Sequence, residues 1–110
     1  MKISDRRLAH RFNLTVPLRV RMWKSSSPEH RVESLNLSEG GVYFATDAPI
    51  LTGAAVHLRL EMPREVTGHP TTGWQCTGHV VRTERITSSG SVLGIGVRFD
   101  YYEVALATER

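Results

Sequence analysis

Apolar and polar residues alternate through most of this chain, and a period of two predicts strands rather than helices. In "LTVPLRVRMW", Leu14, Val16, Leu18, Val20 and Met22 share one face, and Thr15, Arg19 and Arg21 lie on the other. Pro17 has no N–H to give to a ladder, which predicts a sheet edge or a bulge there. "KSSSPEH" is a polar turn. "RVESLN" and "VYFAT" form two arms of a hairpin around the knot Asn36-Leu37-Ser38-Glu39-Gly40-Gly41. "DAPILTG" and the longer "PREVTGHPTTG" read as loops from their proline and glycine content. Between them, "AAVHLRLEM" alternates with Val56, Leu58, Leu60 and Met62 inward. "WQCTGHVVRTERI" is strand-like, then "TSSGS" turns into "VLGIGVRF", where Leu93, Ile95, Val97 and Phe99 share a face. Six such strands predict an all-β fold, a six-stranded antiparallel barrel whose closure removes exposed edges.

The two ends depart from this rhythm. Asp100 followed by Glu103 fits a capping box, with Tyr101, Val104 and Ala105 along one side, and so predicts a short C-terminal helix from about residue 100. The first residues fit neither strand nor core. They predict a flexible basic N-terminal arm over 1–13, holding Lys2, Arg6, Arg7, His10 and Arg11 against the single acid Asp5. The barrel with its short helix then occupies 14–110.

Bulk properties narrow the function without naming it. A chain of 110 residues makes one domain with one modest core. Fourteen basic against 11 acidic side chains leave a net charge of +3, mild enough to favour an anionic partner without specifying it. Cys76 stands alone, so it forms no disulfide within the chain and reads as a small buried hydrophobe. The basic start lacks the apolar stretch of a secretory signal, and no apolar run reaches membrane-spanning length. The expectation is a cytoplasmic protein without membrane insertion, in which the sequons at Asn13 and Asn36 stay unmodified. Histidines 10, 30, 57, 69 and 79 lack metal-ligand spacing, so no metal site is expected. Gly94 and Gly96 lack the third glycine of a dinucleotide fingerprint and are expected to admit a close neighbour. Trp23 and Trp74 read as packing or rim residues. The sequence has no nucleophile elbow, P-loop or paired carboxylates, and Ser38 has no base beside it. No catalysis and no cofactor are expected.

Arm and knot carry the specific chemistry. Arg7-Leu8-Ala9-His10-Arg11 is R-x-x-x-R, and Asn36 to Gly41 is N-x-S-x-x-G, with one strand between them. This pairing resembles the PilZ family, small barrels that bind the bacterial second messenger cyclic di-GMP, and "GIGVRF" is similar to the family's last strand. The resemblance runs from Arg6 to Phe99. It implies a PilZ-like barrel in which Arg7 and Arg11 meet the ligand from the arm, and Asn36, Ser38 and Gly41 from the barrel. Gly40 and His10 are adjoining contacts, and Arg6 would stack on a second nucleotide, giving an intercalated dimer of ligand.

Residue chemistry agrees with that implication. The guanidinium fork matches both phosphate oxygens and the O6/N7 edge of guanine. Asn36 offers an amide and Ser38 a hydroxyl. Gly41 is expected to supply positive φ and to leave room for a purine. Many family members carry aspartate where this chain has Asn36, and the neutral amide makes a weaker contact. The implied function is a receptor relaying cyclic di-GMP levels to motility, polysaccharide or pilus output through an unidentified downstream protein. The alternative is a PilZ-like adaptor that binds no ligand. An oligonucleotide-binding barrel ranks well behind, because the strands show few aromatic residues alternating with basic ones.

Overall fold

The computed structural model describes residues 12–24, 26, 28–68, 70, 72–87 and 91–105. Six strands appear in these: β1 (Pro17–Met22), β2 (His30–Ser38), β3 (Gly41–Thr46), β4 (Ala55–Met62), β5 (Thr72–Arg85) and β6 (Leu93–Ala105). Every neighbouring pair is antiparallel, and the order β1-β2-β3-β6-β5-β4 closes on itself. The predicted six-stranded barrel is therefore the observed one. Its interior is the alternating apolar set, including Leu18, Val20, Leu37, Phe44, Val56, Leu58, Met62, Cys76, Val80 and Ile95. Each large side chain so buried stabilises the fold by roughly 1.5–3 kcal/mol over exposure.

Closure changes the meaning of Pro17. β1 is paired on both sides, so Pro17 marks no edge; it is the first residue of the strand, opposite Glu33 of β2, and pairing with β4 begins only at Leu18. A strand's first position tolerates the missing N–H. Met22 points to the expected side but lies at the barrel rim, more than a third exposed.

β2 breaks strict alternation through a bulge. Ser34 pairs with Phe44 and Asn36 with Tyr43, leaving Leu35 unmatched and exposed. The bulge turns both Ser34 and Leu37 inward. Ser34 is a polar residue inside an apolar barrel, and its hydroxyl is satisfied twice. It accepts from the Val16 amide at 2.9 Å and donates to the Leu14 carbonyl at 2.5 Å. Upstream of β1 the chain thus stays against β2, and Phe12 and Leu37 exchange backbone hydrogen bonds of 2.9 Å in both directions.

Two sequence expectations need correction. The long loop after β4 contains a one-turn helix, α1 (Arg64–Thr67), closed by Gly68 in the left-handed conformation with its amide on the Arg64 carbonyl. No helix begins at residue 100: β6 continues to Ala105, and 106–110 lie outside the described residues. The fourteen-residue β5 offers its edge over this whole length, pairing Thr77 with Tyr101, Gln75 with Glu103 and Trp74 with Val104. Tyr102 stacks on Trp74 with ring centroids 4.3 Å apart. Asp100, the expected cap, sits unmatched at a bulge and bonds His79 instead, at 2.9 Å. Non-local pairing outweighs the local capping pattern here.

Candidate functional site

The knot closes the β2–β3 hairpin through the two-residue turn Glu39-Gly40, with Ser38 opposite Gly41 as the last pair. Asn36 and Ser38 project outward on either side of the buried Leu37. The Ser38 hydroxyl accepts from the Gly40 amide at 3.2 Å and donates to the Gly41 carbonyl at 3.4 Å. These are long bonds, so the hydroxyl is oriented by the turn yet readily redirected.

Gly41 is required for a reason the sequence did not reveal. Its φ is not positive; among described glycines only Gly53 and Gly68 have that conformation. A Cβ on Gly41 would instead overlap the Val97 carbonyl oxygen of β6. Gly40 has open space, with Ser38 Oγ 3.9 Å away as the nearest neighbour.

Barrel registry sets these residues at the head of two rows that run across the outer face. Asn36, Tyr43, Gly96 and Arg82 lie side by side on β2, β3, β6 and β5. Ser38, Gly41, Arg98 and His79 form the adjacent row. A groove of about 1050 Å³ opens over this end of the barrel, with Asn36, Ser38, Gly41, Tyr43, Arg82 and Arg98 in its lining. Tyr43, Arg82 and Arg98 were absent from the predicted site. Alternation in "GIGVRF" places Arg98 outward, but only the β3–β6 register puts it opposite Gly41.

Beneath Arg82 the groove wall is tied together. The Arg82 guanidinium lies 4.9 Å over the Tyr43 ring, and the Tyr43 hydroxyl donates to Glu84 at 2.6 Å. Burial, followed by the Glu84 bond and charge, holds the Tyr43 phenol above its ordinary pKa, with Arg82 opposing. The ring needs the glycine at 94, where a Cβ would overlap the Tyr43 hydroxyl; at Gly96 a Cβ would make only ordinary contacts, the nearest with Arg82 Cβ at 3.5 Å. The close neighbour expected at these glycines is found at Gly94, and it is this aromatic side chain.

The arm's predicted residues, Arg6, Arg7, His10 and Arg11, lie outside the described residues. Their point of attachment does not. Phe12, one peptide bond beyond Arg11, is bridged to Leu37, which stands between Asn36 and Ser38. Consecutive Cα atoms are about 3.8 Å apart, so the Cα of Arg11 is one such step from a residue bridged to the knot.

Among the described residues no group of His, Cys, Asp or Glu is arranged to hold a metal ion. None of their helices is long and apolar enough to cross a membrane. Cys76 is inert by placement, fully buried, and burial pushes its thiol up to about 12.

Comparison with known proteins agrees with the barrel fold. No curated protein matches the chain. Among solved structures, the chain is similar to the Bacillus subtilis inhibitor of motility MotI/DgrA, with a TM-score of 0.65 at 18% identity. That likeness covers 86% of this chain and 42% of the other, so this chain spans less than half of its structural neighbour and shares with it a fold. The family model for the PilZ domain matches residues 5–108, from the arm through all six strands. The chain belongs to the PilZ domain family.

Proposed function

We propose that this chain is a cytoplasmic receptor for cyclic di-GMP, a binding module without catalysis. The observation that supports the reading is the Phe12–Leu37 bridge, which sets the residue following Arg11 next to the outward pair Asn36 and Ser38. Arg7 and Arg11 clamp phosphates and guanine edges from the arm. Asn36 and Ser38 meet a base from the barrel. Gly41 serves the site indirectly, by letting β3 close on β6 so that the hairpin stands at the groove. Arg98 adds positive charge along the far wall, suited to an anionic ligand, while Arg82 beside it is paired with Glu84 at 3.8 Å. Arg6 stacks on a second nucleotide, so the ligand binds as an intercalated dimer, with His10 and Gly40 at its margin. Closing the arm over the ligand is the signalling event, relayed through a protein partner to motility, polysaccharide or pilus output.

Isothermal titration of the chain with cyclic di-GMP, with GMP as control, tests this. Saturable binding near two nucleotides per chain is expected, and Arg11→Ala should lose roughly 1.5–3 kcal/mol, as removal of a charge-assisted contact does. A folded wild type that binds nothing overturns the receptor reading and leaves an adaptor acting through protein contacts.

A further inference from the structure

The barrel's other side carries a charge pattern that neither its fold nor the ligand groove explains. Arg31 of β2 lies directly opposite Arg19 of β1, and Arg19 directly opposite Arg59 of β4. Three arginines thus stand in one row across three strands, all exposed. Like charges directly opposed in a sheet are destabilising. Within the described residues only Arg59 of the three is paired, with Glu29 at 3.1 Å. The next row sets Arg21 beside His57. The Arg21 Nε and the His57 Nδ1 are both shut off from solvent without a hydrogen-bond partner. Beyond them stands Trp23, nearly half exposed, its ring 6.4 Å from the His57 ring. The barrel requires only that these positions be polar. Repelling arginines and an exposed indole together call for something outside the chain.

We propose that the outer face of β2, β1 and β4 docks an acidic helix of a partner protein. Adjacent antiparallel strands place directly opposed Cα atoms about 4.5–5.5 Å apart, so Arg31 and Arg59 stand about 10 Å apart. A helix rises about 10.5 Å over seven residues, and positions i, i+4 and i+7 share one face. Three carboxylates at those positions meet the three guanidiniums, each in the bidentate geometry arginine favours. Trp23 supplies an apolar anchor at the margin. Glu29, Glu33 and Glu61 lie around the arginine row on the same outer face. They would repel a continuous phosphate backbone or an anionic lipid plane, whereas a helix with spaced carboxylates leaves them in its gaps. The surface stands apart from the ligand groove and names the chemistry of the partner through which the proposed receptor acts.

The test uses the full chain and a labelled, acetylated, alanine-rich helical peptide with glutamates at i, i+4 and i+7. Its competitors are an isomeric peptide with the glutamates dispersed around the helix, vesicles of phosphatidylglycerol in phosphatidylcholine, and a mixed-sequence DNA duplex. Anisotropy should show the one-faced peptide binding tightest, with amide shifts confined to β2, β1 and β4. Arg19→Glu should weaken that binding about tenfold, the equivalent of about 1.4 kcal/mol. Equal binding of the dispersed peptide, tighter binding of vesicles or DNA, or an unchanged Arg19→Glu overturns the proposal. Circular dichroism checks folding, and Arg31→Glu replaces Arg19→Glu should the latter unfold. Cyclic di-GMP titration of the same variant should match the wild type. A wild type that fails to bind nucleotide counts against the receptor reading alone, and the peptide result still decides this one.

Discussion

Tyr43 occupies the space that a side chain on Gly94 would need. The two belong to neighbouring strands, with the Tyr43 hydroxyl where a Gly94 Cβ would fall and Ile86 closing in at 3.1 Å. Alanine in place of a strand glycine ordinarily gains roughly 0.5–1 kcal/mol. Here overlap should reverse the sign, and Gly94→Ala is expected to cost about 1–3 kcal/mol, as overpacking does. It must displace the ring and with it the Tyr43–Glu84 bond. Urea unfolding of wild type, Gly94→Ala, Tyr43→Ala and the double variant checks this. The alanine should cost much less once the ring is gone, and purely additive costs would show that the ring is not the obstacle.

Gly40 and Gly41 stand side by side in the motif, yet they should respond oppositely. Gly40→Ala has open space and ordinary backbone, so its effect should stay within about 0.5 kcal/mol. Gly41→Ala drives a methyl group into the Val97 carbonyl, a backbone atom unable to move without parting β3 from β6. It should cost more than about 2 kcal/mol. Thermal unfolding of both variants decides it. Comparable stability would mean that the motif's last glycine is kept for ligand approach and not for strand packing.

The same contrast shows what was legible in the sequence. Alternation around Leu18, Leu58 and Val97 placed the strands, because one buried face leaves a period-two record. The knot was legible as a hairpin with outward Asn36 and Ser38. Which strands meet was not written locally. The Gly41–Val97 approach, Arg98 opposite Gly41, and Tyr43 over Gly94 all follow from β3–β6 pairing across some fifty residues of chain. The helix expected from Asp100 failed for the same reason. A local capping pattern competed with a long partner strand that only the closed barrel brings near. The arginine row was equally hidden, since Arg19, Arg31 and Arg59 become neighbours only through registry.

His57 should make the fold weaken in acid. Burial, reinforced by Arg21, lowers its pKa below the ordinary 6.5, with Glu29 opposing and Arg59 adding to the depression. As pH falls through 6.5 the unfolded chain takes the proton first while the folded chain still excludes it. Unfolding then binds protons, and stability drops until the lower folded pKa is passed. Above the ordinary value both states are neutral and the group has no effect. Groups facing it from the neighbouring elements are Arg21 on β1, Arg59 on β4, and Glu29 and Trp23 on the connection between β1 and β2. Denaturant midpoints between pH 7 and about pH 5 should fall more steeply for wild type than for His57→Gln. Parallel slopes would mean that His57 is protonated as readily folded as unfolded.

Asn36→Asp distinguishes which part of the ligand the knot faces. Asn36 is outward, half-buried and beside Tyr43 in its row. If it receives the N1 and N2 donors of guanine, a carboxylate is the stronger acceptor, and binding of cyclic di-GMP should tighten by up to about tenfold. If a phosphate faced it, the added negative charge would repel and affinity would fall. The sign of the change therefore reads the ligand's orientation. Titrations should be run at two salt concentrations, because phosphate repulsion is screened while a direct bond to the base edge is much less so. Ser38→Ala in the same series should weaken binding by about 0.5–1.5 kcal/mol through loss of a neutral hydrogen bond. Tighter binding of Asn36→Asp that persists in salt would fix the guanine at the hairpin and leave the phosphates to the arginines of the arm. Weaker binding that recovers in salt would exchange those places and assign the arm to the bases.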